Sequence, residues 1–397
     1  MSNRVFSDVV VIGGGPVGSH LAYRLVSMGH EVVVVEQKEK LGEPVCCTGI
    51  ISQECVDSFS INRDVIFRQV SSARIFSPSG KSLNLRRNNP QACVVNRSAF
   101  NESLANRAQS VGVEYVLGSK VNSLDVNSEK VCLEVLTSGG EADAIESKVA
   151  VIATGFSSNI IKGFGRFDDS VAGVQAEVET NGVDEVEVYM GQEIAPGFFA
   201  WLVPTLPQKA LVGLLSRRTP QVFLKRLMAS LMDQGKIVSD YVPLTYGGIS
   251  LKPVSRSYND RVIAVGTAAG QIKPTTGGGI YYGLLCADIA AENLHYALVK
   301  DDFSAKNLSN YEKSWKKKLG RELRIGYQAR KFYELLSDQQ IDKIFDIMKN
   351  NGIDEAISEA DDLTFDWHGR VILKLIGYKA VTKAFGVMKI PFSLKGK

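Results

Sequence analysis

The chain has 397 residues, of which 45% are hydrophobic and 22% are charged, a composition typical of globular proteins and a length that allows two domains. The net charge of +3 argues against a nucleic-acid partner. The six cysteines lack metal-binding or secreted-disulfide spacing, which favours a reducing, cytoplasmic setting. No uncharged apolar run reaches the roughly 18 residues that a membrane span needs.

A strand–turn–helix–strand pattern opens the chain. The apolar run at residues 9–12 predicts a buried strand, and it leads through Gly13-Gly14-Gly15-Pro16-Val17-Gly18 into a helical stretch. A second apolar run at residues 31–35 predicts the next strand. Because the glycines open a helix directly after a strand, they match a dinucleotide-binding fingerprint whose helix N-terminus faces a pyrophosphate.

Each part of this fingerprint has a physical role. Gly13 permits the tight turn, Gly15 lets the backbone approach the pyrophosphate, and Gly18 lets the helix pack close to the strand. Glu36 closes the second strand, where a carboxylate can accept hydrogen bonds from both ribose hydroxyls. The same charge would repel a 2′-phosphate, so the pattern favours FAD or NAD over NADP.

The middle of the chain predicts a loop, a helix and many strands. A loop spans residues 37–49, and a helix follows Asn96-Arg97. The alternating pattern then predicts a meander of short strands that ends at Ala153-Thr154-Gly155, and its members lie at residues 113–117, 120–126, 131–136 and 149–153. Residues of about 165–255 predict a mostly antiparallel sheet, which would be an inserted second domain.

A second glycine-rich segment follows the inserted sheet. A strand at residues 261–265 leads into Gly266-Thr267-Ala268-Ala269-Gly270, and Thr276-Gly277-Gly278-Gly279 precedes an apolar helix that starts at Ile280. Two distant glycine clusters favour a large, extended cofactor. The helix start would stabilise the negative charge that a reduced flavin carries at its N1–O2 edge.

These motifs resemble the geranylgeranyl reductase family of FAD-dependent oxidoreductases, which have the p-hydroxybenzoate-hydroxylase-like fold. The resemblance covers most of residues 5–300, and it is carried by residues 13–18, Glu36, residues 42–49, Asn96-Arg97, residues 153–155, 195–204, 266–270 and 273–282. In the family, the segment matching residues 195–204 helps wall a lipid-binding cavity, and the segment matching residues 266–282 wraps the flavin. Thr267 departs from the family pattern, which has Asp there.

The predicted fold class is α/β, with a Rossmann-type FAD-binding domain, an inserted mostly antiparallel β-sheet substrate domain and a helical C-terminal region. We expect residues 1–165 and 256–300 to form the FAD-binding domain, residues 166–255 the substrate domain and residues 301–397 the helical region. Residues of about 65–95 could instead join the substrate domain.

The motifs and the resemblance together predict the residues of the cofactor site. Those expected to bind FAD are Gly13, Gly15, Pro16, Gly18, Glu36, Gln37, Cys47, Arg97, Ala153, Gly155, Gly266, Thr267, Gly277, Gly278, Gly279 and Ile280. The four histidines, His20, His30, His295 and His368, are scattered, so we expect no metal site.

The resemblance places Cys47 near the flavin ring, where a thiol could donate a proton; Tyr281 is the alternative donor. The neighbouring Cys46 could join Cys47 in a vicinal disulfide, or both could be small buried side chains. The residues expected to line a prenyl cavity, unless they only fill the core, are Phe198, Phe199, Trp201, Tyr281 and Tyr282.

The leading functional prediction is an FAD-dependent reductase that saturates C=C bonds of a geranylgeranyl or polyprenyl chain in a lipid or lipid precursor, with NAD(P)H or ferredoxin as electron donor. The alternatives are a flavin monooxygenase or halogenase, or a flavin electron-transfer module. Halogenases carry a Trp-x-Trp-x-Ile-Pro pattern, whose first Trp is replaced by Phe199 here.

The C-terminal residues 371–397 mix apolar and lysine positions. Such a segment could contact an anionic membrane peripherally, or it could pack on the body with a solvated basic face.

Overall fold

The computed structural model describes residues 5–43, 45–156, 160, 164, 168–360 and 364–377. The basic segment beyond Gly377 lies outside these residues. The strands are β1 Val5–Ile12, β2 Val32–Val35, β3 Ile50–Ser52, β4 Ile66–Val70, β5 Ser72–Phe76, β6 Ser82–Arg86, β7 Ala92–Val95, β8 Glu114–Val116, β9 Ser119–Val126, β10 Val131–Thr137, β11 Ala142–Ile152, β12 Ser170–Glu179, β13 Val186–Met190, β14 Phe199–Pro204, β15 Lys209–Ser216, β16 Thr245–Ser250, β17 Tyr258–Asn259 and β18 Val262–Ala264. The helices are α1 Pro16–Ser27, α2 Gln53–Ser58, α3 Arg97–Gln109, α4 Pro220–Asp233, α5 Ile280–Lys300, α6 Ala305–Glu334, α7 Asp338–Asn350, α8 Ile353–Glu359 and α9 His368–Gly377.

The chain divides into two compact units. The described residues of unit 1 fall within Met1–Gln69, Ala92–Gly173 and Thr245–Tyr327. Those of unit 2 fall within Val70–Gln91, Val174–Leu244 and Gln328–Lys397.

Unit 1 contains a sheet in the strand order β17-β18-β11-β1-β2-β8. The pairs β18–β11, β11–β1, β1–β2 and β2–β8 are parallel. The valines of β1 at residues 9–11 and all four of β2 are buried, as expected for parallel strands covered on both faces. The α/β fold class predicted from the sequence is therefore confirmed.

The predicted meander needs one correction. β9, β10 and β11 form an antiparallel meander, but β8 pairs with β2 in parallel instead of joining them. The physical reason is the connection: α3 precedes β8, and a helix of this length returns the chain to the edge of a parallel sheet.

Helix α1 packs tightly on helix α5 within unit 1. A Cβ built on Gly283 of α5 would lie 2.5 Å from Val17 Cγ2 of α1. Gly266, which adopts φ +71°, also faces Val17, with its built Cβ 3.2 Å from Cγ1. The two glycine-rich segments of the sequence are thus brought together around the first turn of α1.

Unit 2 is built on a sheet in the order β12-β15-β14-β13-β5-β6. The pairs β15–β14, β14–β13 and β5–β6 are antiparallel, and β13 pairs with β5 in parallel. Helix α4 contributes Leu224, Met228 and Leu231 to the same core as the apolar residues of β14 and β15. Through this parallel pairing with β13, the strand β5, which lies far earlier in the chain, belongs to the same sheet.

Among the described residues, no helix combines the length and apolar character required to cross a bilayer.

The contact between α1 and α5 predicts opposite effects of two glycine substitutions. Gly283→Ala should destabilise the protein by about 1–3 kcal/mol, because the new methyl group overlaps Val17. The matched control is Gly320→Ala in α6, whose built Cβ meets only Lys316 Cβ at 3.7 Å. That change should be neutral or stabilising by up to about 1 kcal/mol. Chemical denaturation measures both, and equal midpoints would contradict the packing.

Candidate functional site

Two glycines of the first fingerprint, Gly13 and Gly18, are required by backbone packing, because a side chain at either position would overlap backbone atoms. Gly13 adopts φ +110°, and a built Cβ would lie 2.6 Å from the Ala153 carbonyl oxygen. A built Cβ on Gly18 would lie 2.0 Å from the Gly13 carbonyl oxygen. A side chain at residue 13 would push this turn away from the end of β11, and one at residue 18 would push α1 away from the end of β1. These glycines therefore place the helix N-terminus at the end of β1.

Gly15 is different, because neither its backbone angles nor its packing in the protein requires a glycine. Its φ of −71° and ψ of −179° suit any residue. No atom lies within 4 Å of a Cβ built there. The backbone therefore borders open space directly before Pro16, the first residue of α1, and this helix start has no side-chain cap. An anion such as a pyrophosphate fits a helix terminus of this kind.

The Glu36 carboxylate is held at the same turn. The Gly14 backbone N–H donates to its Oε2 at 2.7 Å, and the Lys38 N–H donates to its Oε1 at 3.0 Å. Each oxygen keeps further lone-pair capacity for ribose hydroxyls. The neighbouring Gln37 is exposed.

Arg97 of unit 1 has two buried N–H groups without hydrogen-bond partners. It is the first residue of α3, after Asn96, whose side chain accepts from the Ser98 and Ala99 backbone N–H groups. The Nε and Nη1 atoms of Arg97 are buried and have no hydrogen-bond partner. The guanidinium carbon lies over the Phe100 ring, 5.1 Å from the ring centroid. Because buried N–H groups without an acceptor are costly, a phosphate group is a fitting partner.

The turn after β11 adds another unsatisfied group. Thr154 Oγ1 is buried without a hydrogen-bond partner. Its neighbour Gly155 adopts φ +72°, with no atom within 4 Å of a built Cβ, and Ala153 contacts Gly13 as described. These features lie in the same unit as Gly15 and Arg97, and they fit a bound polar cofactor.

The second glycine cluster forms the start of α5. Gly277 adopts φ +77°, and its N–H donates to the Lys273 carbonyl oxygen at 2.8 Å. Built Cβ atoms would lie 2.7 Å from Lys273 Cε at Gly278 and 2.7 Å from Ile272 Cγ2 at Gly279. The built Cβ of Gly279 would also lie 3.3 Å from Thr267 Oγ1. The turn leaves Ile280 at a helix start without a side-chain cap.

The predicted cysteines lie in the loop before β3. Cys46 and Cys47 are half-buried and are not joined in a disulfide. Burial raises the pKa of the Cys46 thiol to about 11, although a hydrogen bond with Thr245 opposes the shift. Cys46 packs against Gly247, whose built Cβ would lie 3.1 Å from Cys46 Cβ. Cys46 is thus a protonated, packed thiol at neutral pH.

Tyr281 has a partner that the sequence does not reveal. Its hydroxyl donates to Glu54 Oε1 of α2 at 2.5 Å. The Tyr281 side chain is nearly buried, with 6% exposure, whereas Glu54 is exposed. This pair therefore links an interior hydroxyl to solvent through one carboxylate. The next residue, Tyr282, is fully enclosed in the core.

The aromatic segment of residues 198–201 lies in unit 2. Phe198 is completely buried, with the Arg330 guanidinium 3.5 Å from its ring centroid. Phe199 is half-buried, and its ring meets the Trp201 ring edge-on, with 6.2 Å between the ring centroids. The Trp201 indole lies over Gly213 of β15, and its buried Nε1 has no hydrogen-bond partner.

Comparison with known proteins identifies relatives over nearly the whole chain. A family model described as lycopene cyclase protein matches residues 8–352. A digeranylgeranylglycerophospholipid reductase from Methanocaldococcus jannaschii is 30% identical over 367 residues, which cover 87% of this chain and 92% of the relative. Another reductase of that name, from Methanococcus aeolicus, is 28% identical and covers 96% of both chains.

Solved structures agree with these relatives. A geranylgeranyl bacteriochlorophyll reductase-like protein from Thermoplasma acidophilum has a TM-score of 0.84 and 26% identity, covering 97% of this chain and 100% of that chain. A flavin-dependent brominase, with a TM-score of 0.68 and 17% identity, shares the fold alone. The fold and the dinucleotide-type site define a flavin-dependent oxidoreductase. Within that class, the chain belongs to the geranylgeranyl reductase family, as its sequence motifs predict.

The open space at Gly15 allows folding and cofactor binding to be tested separately. Gly15→Val should lower the stability of the cofactor-free protein by no more than about 1 kcal/mol, because the backbone angles suit valine and no protein atom is nearby, and valine is only the poorer N-cap. It should abolish retention of bound flavin, because the side chain would occupy the pyrophosphate space. Gly139→Val is the control, since that glycine also has room. Flavin absorbance after gel filtration measures retention, and a variant that keeps its flavin would refute the assignment.

Proposed function

We propose that the protein is an FAD-dependent reductase that saturates C=C bonds in the geranylgeranyl or polyprenyl chains of a lipid or lipid precursor. The observation that carries this proposal is the full-length similarity to digeranylgeranylglycerophospholipid reductases. The groups in unit 1 that lack partners of their own, above all Arg97, support a bound dinucleotide.

FAD is the cofactor that best accounts for the residues of unit 1. The open backbone at Gly15 and the Arg97 cation suit its pyrophosphate, and Glu36 suits its ribose. The start of α5 at Ile280 suits the flavin end, where a helix N-terminus stabilises negative charge. When bound, FAD supplies the hydride that no amino-acid side chain can supply.

Saturating an isolated alkene also requires a proton on the second carbon. Cys47 is the first candidate donor, because the family resemblance places it beside the flavin. Tyr281 is the second, and its hydrogen bond to the exposed Glu54 offers a route for replacing a spent proton from solvent. We assign NAD(P)H or ferredoxin as the electron donor.

The prenyl chain needs an apolar wall. We assign Phe199 and Trp201 to this wall, since they lie in contact at the start of β14 and Phe199 is only half-buried. The completely buried Phe198 supports that wall from within unit 2, whereas Tyr282 is enclosed in the core of unit 1.

An oxygen-dependent halogenase or monooxygenase is the competing function, and one experiment separates it from the reductase. Photoreduced enzyme is mixed anaerobically with a geranylgeranyl lipid, and flavin absorbance and lipid mass are followed. Reductase activity predicts flavin reoxidation together with a gain of two hydrogens per double bond. Reoxidation only after oxygen is admitted, with no saturated product, would contradict the proposal and favour the oxygen-dependent enzymes.

Trp201 should affect turnover more than flavin content. Trp201→Phe keeps an aromatic ring and loses only an indole N–H that has no partner, so we expect a folded, flavin-loaded enzyme. Prenyl reduction should be several-fold slower, because the smaller ring leaves a gap in the proposed wall. Trp201→Ala should be worse, and it should also cost about 3–5 kcal/mol of stability. Trp315→Phe is the control, because that buried indole donates to Ser257 and lies in the core of unit 1. Native kinetics in a folded Trp201→Phe variant would leave Trp201 as core packing.

Cys47→Ser should slow alkene reduction at least tenfold while leaving flavin binding and flavin reduction near native. Serine keeps one donor but has a far higher pKa, so the change separates acid chemistry from packing, and general acids contribute about 10²–10⁴-fold. Stopped-flow reoxidation by the prenyl substrate measures this step. Cys46→Ser is the matched control and should be milder. Equal effects at both positions would indicate a shared structural role, and a native rate in Cys47→Ser would direct attention to Tyr281.

A further inference from the structure

A basic cavity lies in unit 2, beside the turn that precedes β14. Its volume is about 460 Å³, within the range of small-molecule sites. Three arginines line it, Arg217, Arg218 and Arg226, together with Gly197 and Glu334. We call this cavity the arginine pocket. None of its residues belongs to the dinucleotide site in unit 1.

The charges around the arginine pocket do not cancel. Glu334 receives hydrogen bonds from both Arg217 at 2.6 Å and Lys331 at 3.0 Å, so one carboxylate serves two cations. Among the described residues, Arg218 and Arg226 have no ion pair with a carboxylate, and Glu193 is the other acidic residue of the lining. The pocket therefore carries a net positive charge that would attract an anion.

A further cation lies directly behind the pocket. The buried Arg330 donates to the Gly197 carbonyl oxygen at 3.0 Å, and its guanidinium lies over the Phe198 ring. Burial, reinforced by the like charge of Arg217, lowers the pKa of Arg330 to about 10. Since Arg330 remains charged at neutral pH, it adds to the positive potential at Gly197.

The pocket and the aromatic segment are joined through one residue. Gly197 lines the arginine pocket, adopts φ +73° and immediately precedes Phe198 and Phe199. A cationic cavity thus adjoins the chain segment to which we assign the prenyl wall. This arrangement suits an amphiphile with an anionic head and an apolar tail.

We propose that the arginine pocket binds the phosphate of the lipid substrate's glycerophosphate headgroup and so selects phosphorylated prenyl lipids over neutral ones. This inference rests on the proposed function for the identity of the lipid. Arginine suits the role, because its planar guanidinium can donate two parallel hydrogen bonds to phosphate oxygens. Arg218 and Arg226 are the principal contacts, since neither is engaged by a carboxylate.

The test uses the full-length, flavin-loaded double variant Arg218→Gln/Arg226→Gln. Its KM for a geranylgeranyl glycerophospholipid should rise at least about tenfold, and its KM for the dephosphorylated, neutral lipid should stay within about twofold of native. The kcat should be unchanged for both lipids, because the pocket positions the headgroup and not the alkene. The matched control is Lys225→Gln/Lys343→Gln, which removes two exposed cations of unit 2 outside the pocket.

A binding measurement tests the pocket without requiring reductase activity. Calorimetric titration of wild type with glycerol 1-phosphate should show saturable binding that the arginine double variant loses and the lysine control keeps. Inorganic phosphate should bind more weakly than glycerol 1-phosphate if the site recognises a headgroup. No binding of either compound, or equal KM increases for charged and neutral lipids, would overturn the assignment. If wild type reduces neither lipid, the proposed function fails, and the titration still decides whether the pocket binds phosphate.

Discussion

The proposed nucleotide site depends on one backbone contact, the approach of Gly18 in α1 to the carbonyl of Gly13. Any side chain at residue 18 would come within 2.0 Å of that oxygen. This contact sets how close α1 lies to the parallel sheet, and α1 in turn packs on Gly266 and Gly283 through Val17. The sheet edge, the helix N-terminus and the second glycine cluster are consequently held in one arrangement.

Buried groups of unit 1 that lack partners favour a binding site over a purely structural turn. Natural proteins rarely leave buried polar groups without partners, yet Arg97 and Thr154 of unit 1 each bury such atoms. Gly15 also points to a ligand, because the space beside its backbone is filled by no protein atom. The proposed phosphate-containing cofactor would account for all three observations. In unit 2, the arginine pocket likewise has more positive than negative side chains, and we propose that the lipid headgroup supplies the missing anion.

Sequence reasoning succeeded where local chemistry determines structure. The first strand–turn–helix–strand unit, α3 after Asn96 and the start of α5 all follow from short motifs, and the structure has them at the predicted places. Features set by distant parts of the chain were missed. The pairing of β8 with β2 depends on the crossover through α3, and the Tyr281–Glu54 hydrogen bond joins residues 227 apart in sequence. The arginine pocket likewise combines residues from separate segments of unit 2, so no local spacing marks it.

The most direct test of the central claim is the identity and amount of the dinucleotide that the protein holds. Purified wild-type protein, incubated with excess FAD and freed of unbound ligand, is denatured, and the released compound is identified by mass and quantified against protein. We predict about one intact FAD per chain, released without covalent attachment. A folded protein that retains no dinucleotide, or that retains NAD in its place, would contradict the claim that the two glycine clusters form an FAD site.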